Sequence, residues 1–478
     1  MLGPGSYAWR SCSAGRTKLA HSVTALEYGS LSYDLVVRGG LVVTAEQAVV
    51  ADVAVVGERI AAIGHDLGGA VELDARGLYV IPGAVDGHVH LTDPTFPPYA
   101  ELTGDSFATG TRAAAFGGVT TVVDFAQPAV GQPLVEGLDR RLADAAGEAV
   151  IDYGLHLNLR DPDPARLAEV AGVFERGVPS FKLYMAYEGY RLPDVAIFRA
   201  MAAVAGHGGL AVLHAENDDV IGELGRRLEA EGKAGPAWLE ACCPPEAEAE
   251  AVHRAIALAG IAGARLLVFH ISCAESAAEV ARAKRDGRDV AGEVTSHGLV
   301  LEQSTLGSGD LRAQSLAVRP PIRDASQRDA LWTALANGTI DIVSSDHCPR
   351  VPLATSHAAG VSGIEARLAL VHTFGVGTGR IDLCRWVEAC CTRPAEVFGL
   401  ARKGRLRPGC DADIVVFDPR KQVTLSPETL HSALPFASYD GVTLTGFPVA
   451  TISRGDVIVA DGAFVGEAGR GRFVERSY

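Results

Sequence analysis

No Cys-x-x-Cys pair occurs among the nine cysteines of this 478-residue chain. Their number is odd, and Cys242-Cys243 and Cys390-Cys391 are adjacent, too close to form ordinary disulfides with themselves. That excludes a disulfide framework and reads as reduced thiols in a cytoplasmic protein. No apolar run reaches the roughly 18 residues of a membrane-spanning helix. Basic residues are fewer than acidic ones, giving a net charge of −15. Such a balance argues against nucleic acid and anionic membranes as partners and suits a small, neutral substrate. Residues 1–33 contain Arg10, Arg16 and Lys18 but no apolar stretch that would serve a secretion signal. They read as a disordered tail.

What is present fits a soluble enzyme. Apolar residues make up 48 % and charged residues 21 %, enough for a large core. Short β-rich pieces begin at Tyr33 and continue through Leu41–Val43, Val53–Val56 and Arg59–Ile63, punctuated by Gly57 and Gly64. A matching set returns late in the chain. Asp413–Asp418 is a strand, and Ala450–Val459 is a hairpin around Arg454-Gly455. Residues 34–82 and 404–468 are therefore expected to pair into one small β-sandwich, with 469–478 as a C-terminal tail. Between them, in residues 83–403, apolar β-branched runs alternate with helical patterns such as Asp105–Phe116 and Ala247–Ala262. The runs are Thr120–Phe125, Ile151–Leu159, Ser180–Met185, Leu210–His214, Arg265–His270, Asp289–Val294 and Thr339–Ser344. Leu78–Ile81 counts as the first of eight. Eight βα units predict an α/β fold, a (β/α)8 TIM-like barrel.

Five of these runs end in metal-binding side chains, after strands one, four, five, six and eight. The C-terminal end of the strands is where such a barrel gathers its active site. His88 and His90 are two apart, so on extended backbone both rings share a face. Lys182 sits inside an apolar stretch, where burial disfavours the ammonium form and frees the amine for chemistry. A neutral amine takes up carbon dioxide to give an anionic carbamate with two oxygens. His214 and His270 each terminate an apolar strand, and Asp346 ends the eighth. Each feature alone has a plain structural reading: an exposed strand end, a snorkelling lysine, a core histidine, a helix cap. Together they place four histidines, a buried lysine and an aspartate at one barrel mouth. That donor set suits two divalent ions, with zinc the first choice, and metal-assisted hydrolysis.

Several motifs then resemble the cyclic amidohydrolases, and within them the dihydropyrimidinase/hydantoinase branch. They are Gly83-Ala84-Val85-Asp86-Gly87-His88-Val89-His90, Lys182-Leu183-Tyr184-Met185-Ala186-Tyr187, His214-Ala215-Glu216-Asn217, Pro320-Pro321-Ile322-Arg323 and Ser345-Asp346-His347-Cys348-Pro349. Arg393–Leu400 and Lys403–Asp413 are similar to that family too. The resemblance implies that His88 and His90 hold the more buried ion and His214 and His270 the more exposed one. It implies an N6-carboxylated Lys182 bridging the two, with a hydroxide between the ions that opens the ring to an N-carbamoyl amino acid. Asp346 would be both a ligand and the general base, then acid. Tyr187 would steady the oxyanion. A homotetramer is implied in the same way.

Relatives narrow the branch. Dihydroorotases carry an arginine directly after the His-x-His-Leu stretch, and this chain has Thr92 there. Allantoinases share the ligands but typically lack the tyrosine that Tyr187 supplies, which leaves allantoinase as the alternative. A non-catalytic scaffold of the same fold is disfavoured because all six ligand residues are present. Two departures bear on substrate contact. Arg319 stands where the family usually has serine, and Ser362 where hydantoinases usually have asparagine. The segment Glu293–Gly298 also differs from the usual Glu-Val-Cys-Pro form. Arg319 at the pocket is expected to bias substrate choice toward an acidic substituent. Phe96 and Tyr99, after His90, are candidates to contact the ring substituent.

Overall fold

Eight parallel strands pair in chain order: Ala84–Asp86, Val119–Ala126, Asp152–Asn158, Ser180–Tyr184, Leu210–His214, Arg265–Val268, Val290–Thr295 and Ile342–Ser344. The computed structural model describes residues 10–11, 33–93, 104–308, 311–350, 360–434 and 436–478. The first and eighth strands approach through a parallel bridge between Val89 and His347, with the His90 amide donating to the His347 carbonyl at 2.7 Å. Helices cover the outside, so nearly every strand position is buried and the strands read as apolar runs. Inside, Val85, Val123, Phe125, Val212, Leu267, Phe269 and Ile342 form one packed cluster. A barrel of this type has a filled interior, not a pore.

The first strand corrects the sequence-based expectation. Leu78–Ile81 does not enter the barrel. Tyr79–Pro82 joins the other sheet, pairing with Ile414–Phe417, and the barrel opens instead with the three residues Ala84–Asp86. Gly83 and Gly87 flank that strand. A Cβ at Gly83 would lie 2.1 Å from Thr120 Oγ1, and one at Gly87 would lie 1.9 Å from the Phe398 ring. Only glycine lets the backbone pass this close to its neighbours.

The two ends of the chain meet in one ten-stranded mixed sheet. Tyr33–Val43 is its centre, flanked by Tyr79–Pro82 and Gly69–Asp74, with Ala48–Val56 and Arg59–Gly64 branching from it. Ile414–Thr424 carries the pairing on to Thr443–Ser453 and Asp456–Ala460. Arg10 and Ser11 pair antiparallel with Val71 and Glu72; the rest of the expected tail lies outside the described residues. Residues 469–478 pack across the start of the third and fourth barrel strands. There the Val474 amide donates to the Tyr153 carbonyl at 2.8 Å, and Arg476 reaches Ser180 Oγ at 2.9 Å.

A buried ion cluster ties the two sheets together. Lys403, 1 % exposed, contacts Asp152 at 2.6 Å, Asp411 at 2.9 Å and Asp413 at 2.8 Å, and Arg454 meets Asp152 at 3.0 Å. Asp152 opens the third barrel strand, and Asp413 precedes a strand of the mixed sheet. Removing the lysine takes away the one cation that all three carboxylates share and leaves Asp413 with no cationic side chain in contact among the described residues. Lys403→Ala should therefore cost about 3–5 kcal/mol in a denaturation curve. A loss below about 1 kcal/mol, the range of an exposed pair, would deny the cluster this role.

Candidate active site

The strand ends converge on a cavity of about 520 Å³ lined by His88, His90, Lys182, Tyr187, His214, His270, Arg319 and Asp346. Tyr184, Tyr190 and Gln127 line it as well. Ligand atoms of His88, His90 and Asp346 all lie within 4.8 Å of one another. Asp346 Oδ1 is 3.2 Å from His88 Nε2 and 3.3 Å from His90 Nε2. A second pair faces them, with His214 Nδ1 2.9 Å from His270 Nε2.

Lys182 is 1 % exposed, and its ammonium sits 4.1 Å from the Phe269 ring centroid and 5.0 Å from that of Tyr184. Burial pulls its pKa down to about 7, with Glu293 and Asp346 pulling weakly the other way. The charge of this one lysine acts on His88, His214 and His270 alike, and the Phe269 ring beneath it stacks on His88 at 3.8 Å. Burial also lowers the pKa of those three imidazoles, which keeps them in the neutral form that binds metal.

Two carboxylates missed by sequence reasoning orient the rings. Glu293, 0 % exposed, engages His88 Nδ1 at 2.7 Å and leaves Nε2 facing Asp346. Glu216 engages His214 Nε2 at 2.7 Å and leaves Nδ1 facing His270. Carboxylates behind ligand histidines fix ring orientation in this way. The signal was in the sequence: Glu216 is two residues after His214, and Glu293 is a lone acid within the apolar seventh strand. His347 is not a ligand here. Its Nδ1 accepts the Gly363 amide at 3.2 Å and its Nε2 faces Asp105 at 3.2 Å, which pins the turn that carries Asp346.

Backbone conformation marks the same place. Tyr187 (φ 75°), His270 (φ 38°) and Asp346 (φ 46°) are left-handed. This conformation is uncommon outside glycine and collects at functional sites. The Tyr187 hydroxyl donates to the Arg319 carbonyl at 3.1 Å. Ser362 is buried and does not line the cavity among the described residues, and its amide donates to Ser438 Oγ at 2.9 Å. Phe96 and Tyr99 lie outside the described residues.

The amidohydrolase family model matches residues 79–458, which take in the barrel and all six residues that the sequence offers as ligands. The chain belongs to the amidohydrolase family. It is 40 % identical to a D-hydantoinase of Streptomyces coelicolor over 471 residues, covering 94 % of this chain and 99 % of that one. A solved D-hydantoinase from a Bacillus species superposes with a TM-score of 0.89 at 39 % identity, covering 93 % and 99 % of the two chains. A dihydropyrimidinase from Brevibacillus agri gives 0.88 at 38 % identity, covering 92 % and 98 %. The family is metal-dependent, and the His88-His90-Asp346 cluster fits that requirement in its chemistry. So do the two imidazole nitrogens of His214 and His270 that face each other across 2.9 Å, since a shared cation satisfies both. No helix among the described residues is long and apolar enough to cross a membrane.

Proposed function

We propose that this protein opens the ring of a cyclic amide, a hydantoin or a dihydropyrimidine, to give an N-carbamoyl amino acid. One observation carries the reading: two imidazole pairs and an aspartate converge on a single buried lysine in one cavity. The donor set suits two divalent ions, zinc first. His88, His90 and Asp346 would hold one, His214 and His270 the other, and Lys182 both. The lysine fits the bridging role because a pKa of about 7 leaves much of the amine neutral and able to add carbon dioxide. When bound, the ions supply an activated water and a Lewis acid for the ring carbonyl.

The remaining work falls to the chain's own atoms. Asp346 takes the proton from the attacking water and delivers it to the ring nitrogen as the carbon–nitrogen bond breaks. The Tyr187 hydroxyl gives up the Arg319 carbonyl and donates to the developing oxyanion. Glu293 and Glu216 keep His88 and His214 from turning. A homotetramer is proposed along with this activity.

A panel of hydantoin, dihydrouracil, allantoin and dihydroorotate tests the reading. Ring opening of the first two is expected, and turnover confined to allantoin or dihydroorotate would contradict it. Tyr187→Phe deletes one hydroxyl and keeps the ring. Losing one oxyanion donor should lower kcat by about 10²–10³-fold, with metal content unchanged. A kcat within about twofold of the parent would fall far short of that donor loss and return Tyr187 to a packing role.

A further inference from the structure

Arg319 reaches from its loop toward groups that belong to the site on both sides. Its Nε lies 3.3 Å from Glu216 Oε2, the same oxygen that engages His214 Nε2 at 2.7 Å. Its Nη2 lies 3.3 Å from Asp218 Oδ1. That Asp218 oxygen in turn accepts the Tyr187 amide at 3.5 Å. The guanidinium stacks on the Tyr187 ring, 4.9 Å from its centroid, and the Arg319 carbonyl takes the Tyr187 hydroxyl. One residue thus touches the support of a ligand histidine and three parts of the tyrosine's surroundings.

The charge count matters as much as the contacts. The arginine's positive charge already faces two carboxylates, Glu216 and Asp218. A substrate carboxylate would therefore meet a guanidinium whose charge two acids already offset, one of them Glu216, 1 % exposed and tied to His214. These partners argue against the expectation that Arg319 draws an acidic substituent into the pocket.

We infer that Arg319 is a positioning residue: it braces His214 through Glu216 and fixes the ring of Tyr187, and it is not a receptor for a substrate anion. Its planar fork suits the task, because two nitrogens of one rigid group engage two acids while the face packs on an aromatic ring. Lysine offers one point charge and cannot make both contacts with the same geometry. The inference rests on the proposed metal-dependent reading, since what is braced is a ligand.

The test uses the full-length protein and Zn²⁺ alone, with affinity read by chelator competition and no substrate present. Groups that orient metal ligands typically contribute about 10–100-fold in metal affinity. Arg319→Gln should weaken zinc binding by that factor, and Arg319→Lys should recover part of it. If Arg319 acts through Glu216, the double variant Arg319→Gln/Glu216→Gln should bind zinc within about threefold of Glu216→Gln alone, as groups acting through one contact are not additive. Parental zinc affinity in Arg319→Gln would overturn the inference, as would losses that multiply in the double variant. So would a KM defect confined to substrates with an acidic substituent. A parent protein that binds no zinc or other divalent ion would sink the functional reading itself, a different result from a metal-binding parent with an indifferent Arg319→Gln.

Discussion

Lys182→Ala should lose ring-opening activity by at least about 10³-fold, equivalent to roughly 4 kcal/mol of transition-state stabilisation. The reason is geometric. Lys182 is buried over the Phe269 ring that also stacks on His88, it lines the cavity with all four histidines, and a carbamate on it is the proposed bridge between the two pairs. Without the bridge, the variant should bind fewer divalent ions. The fold itself should survive. A buried ammonium over aromatic rings is a cost that alanine removes, so the metal-free variant should unfold no earlier than the metal-free parent. Short carboxylic acids should restore part of the activity by supplying a bridging anion. Full metal content and near-parental turnover in Lys182→Ala, with no such acid present, would defeat the carbamate assignment.

Asp346→Asn is the second large effect. Asparagine is nearly isosteric and tolerates left-handed backbone well, so φ 46° at this position should not strain the variant. The change therefore reports on charge and proton transfer. General acid–base roles are worth about 10²–10⁴-fold, and this carboxylate also faces His88 and His90, with which it is proposed to hold an ion. Turnover should fall by that range or more, while substrate binding changes far less. Intact metal content with parental kcat would rule out the proton-shuttle role.

The sequence already displays the candidate ligands because each lies within or just after a run of apolar residues, and a polar side chain at such a place is costly unless it has a function. Lys182 is the clearest case. What stayed hidden has physical causes. The first barrel strand has only three residues between two glycines, too short to show a period. The apolar run beside it, Leu78–Ile81, carries the same β signature but pairs with the C-terminal strands through contacts far along the chain. The brace from Arg319 through Glu216 to His214 joins distant segments that no local pattern connects. Glu293 was visible only within a motif that departs from the family form, and its partnership with His88 emerges when closure sets the first strand beside the eighth, one strand from the seventh. The charge of Arg319 could be read from the sequence, but its partners Glu216 and Asp218, about a hundred residues away, could not.

The central claim is that this cavity opens cyclic amides by means of bound divalent metal held around Lys182. The most direct test is the initial rate of hydantoin and dihydrouracil ring opening, measured on one preparation before chelation, after chelation, and after divalent ions and bicarbonate are returned. The account predicts activity that disappears on chelation and returns only when metal is restored. Ring opening that is unaffected by complete metal removal, or metal-loaded protein that leaves both rings closed, would contradict it.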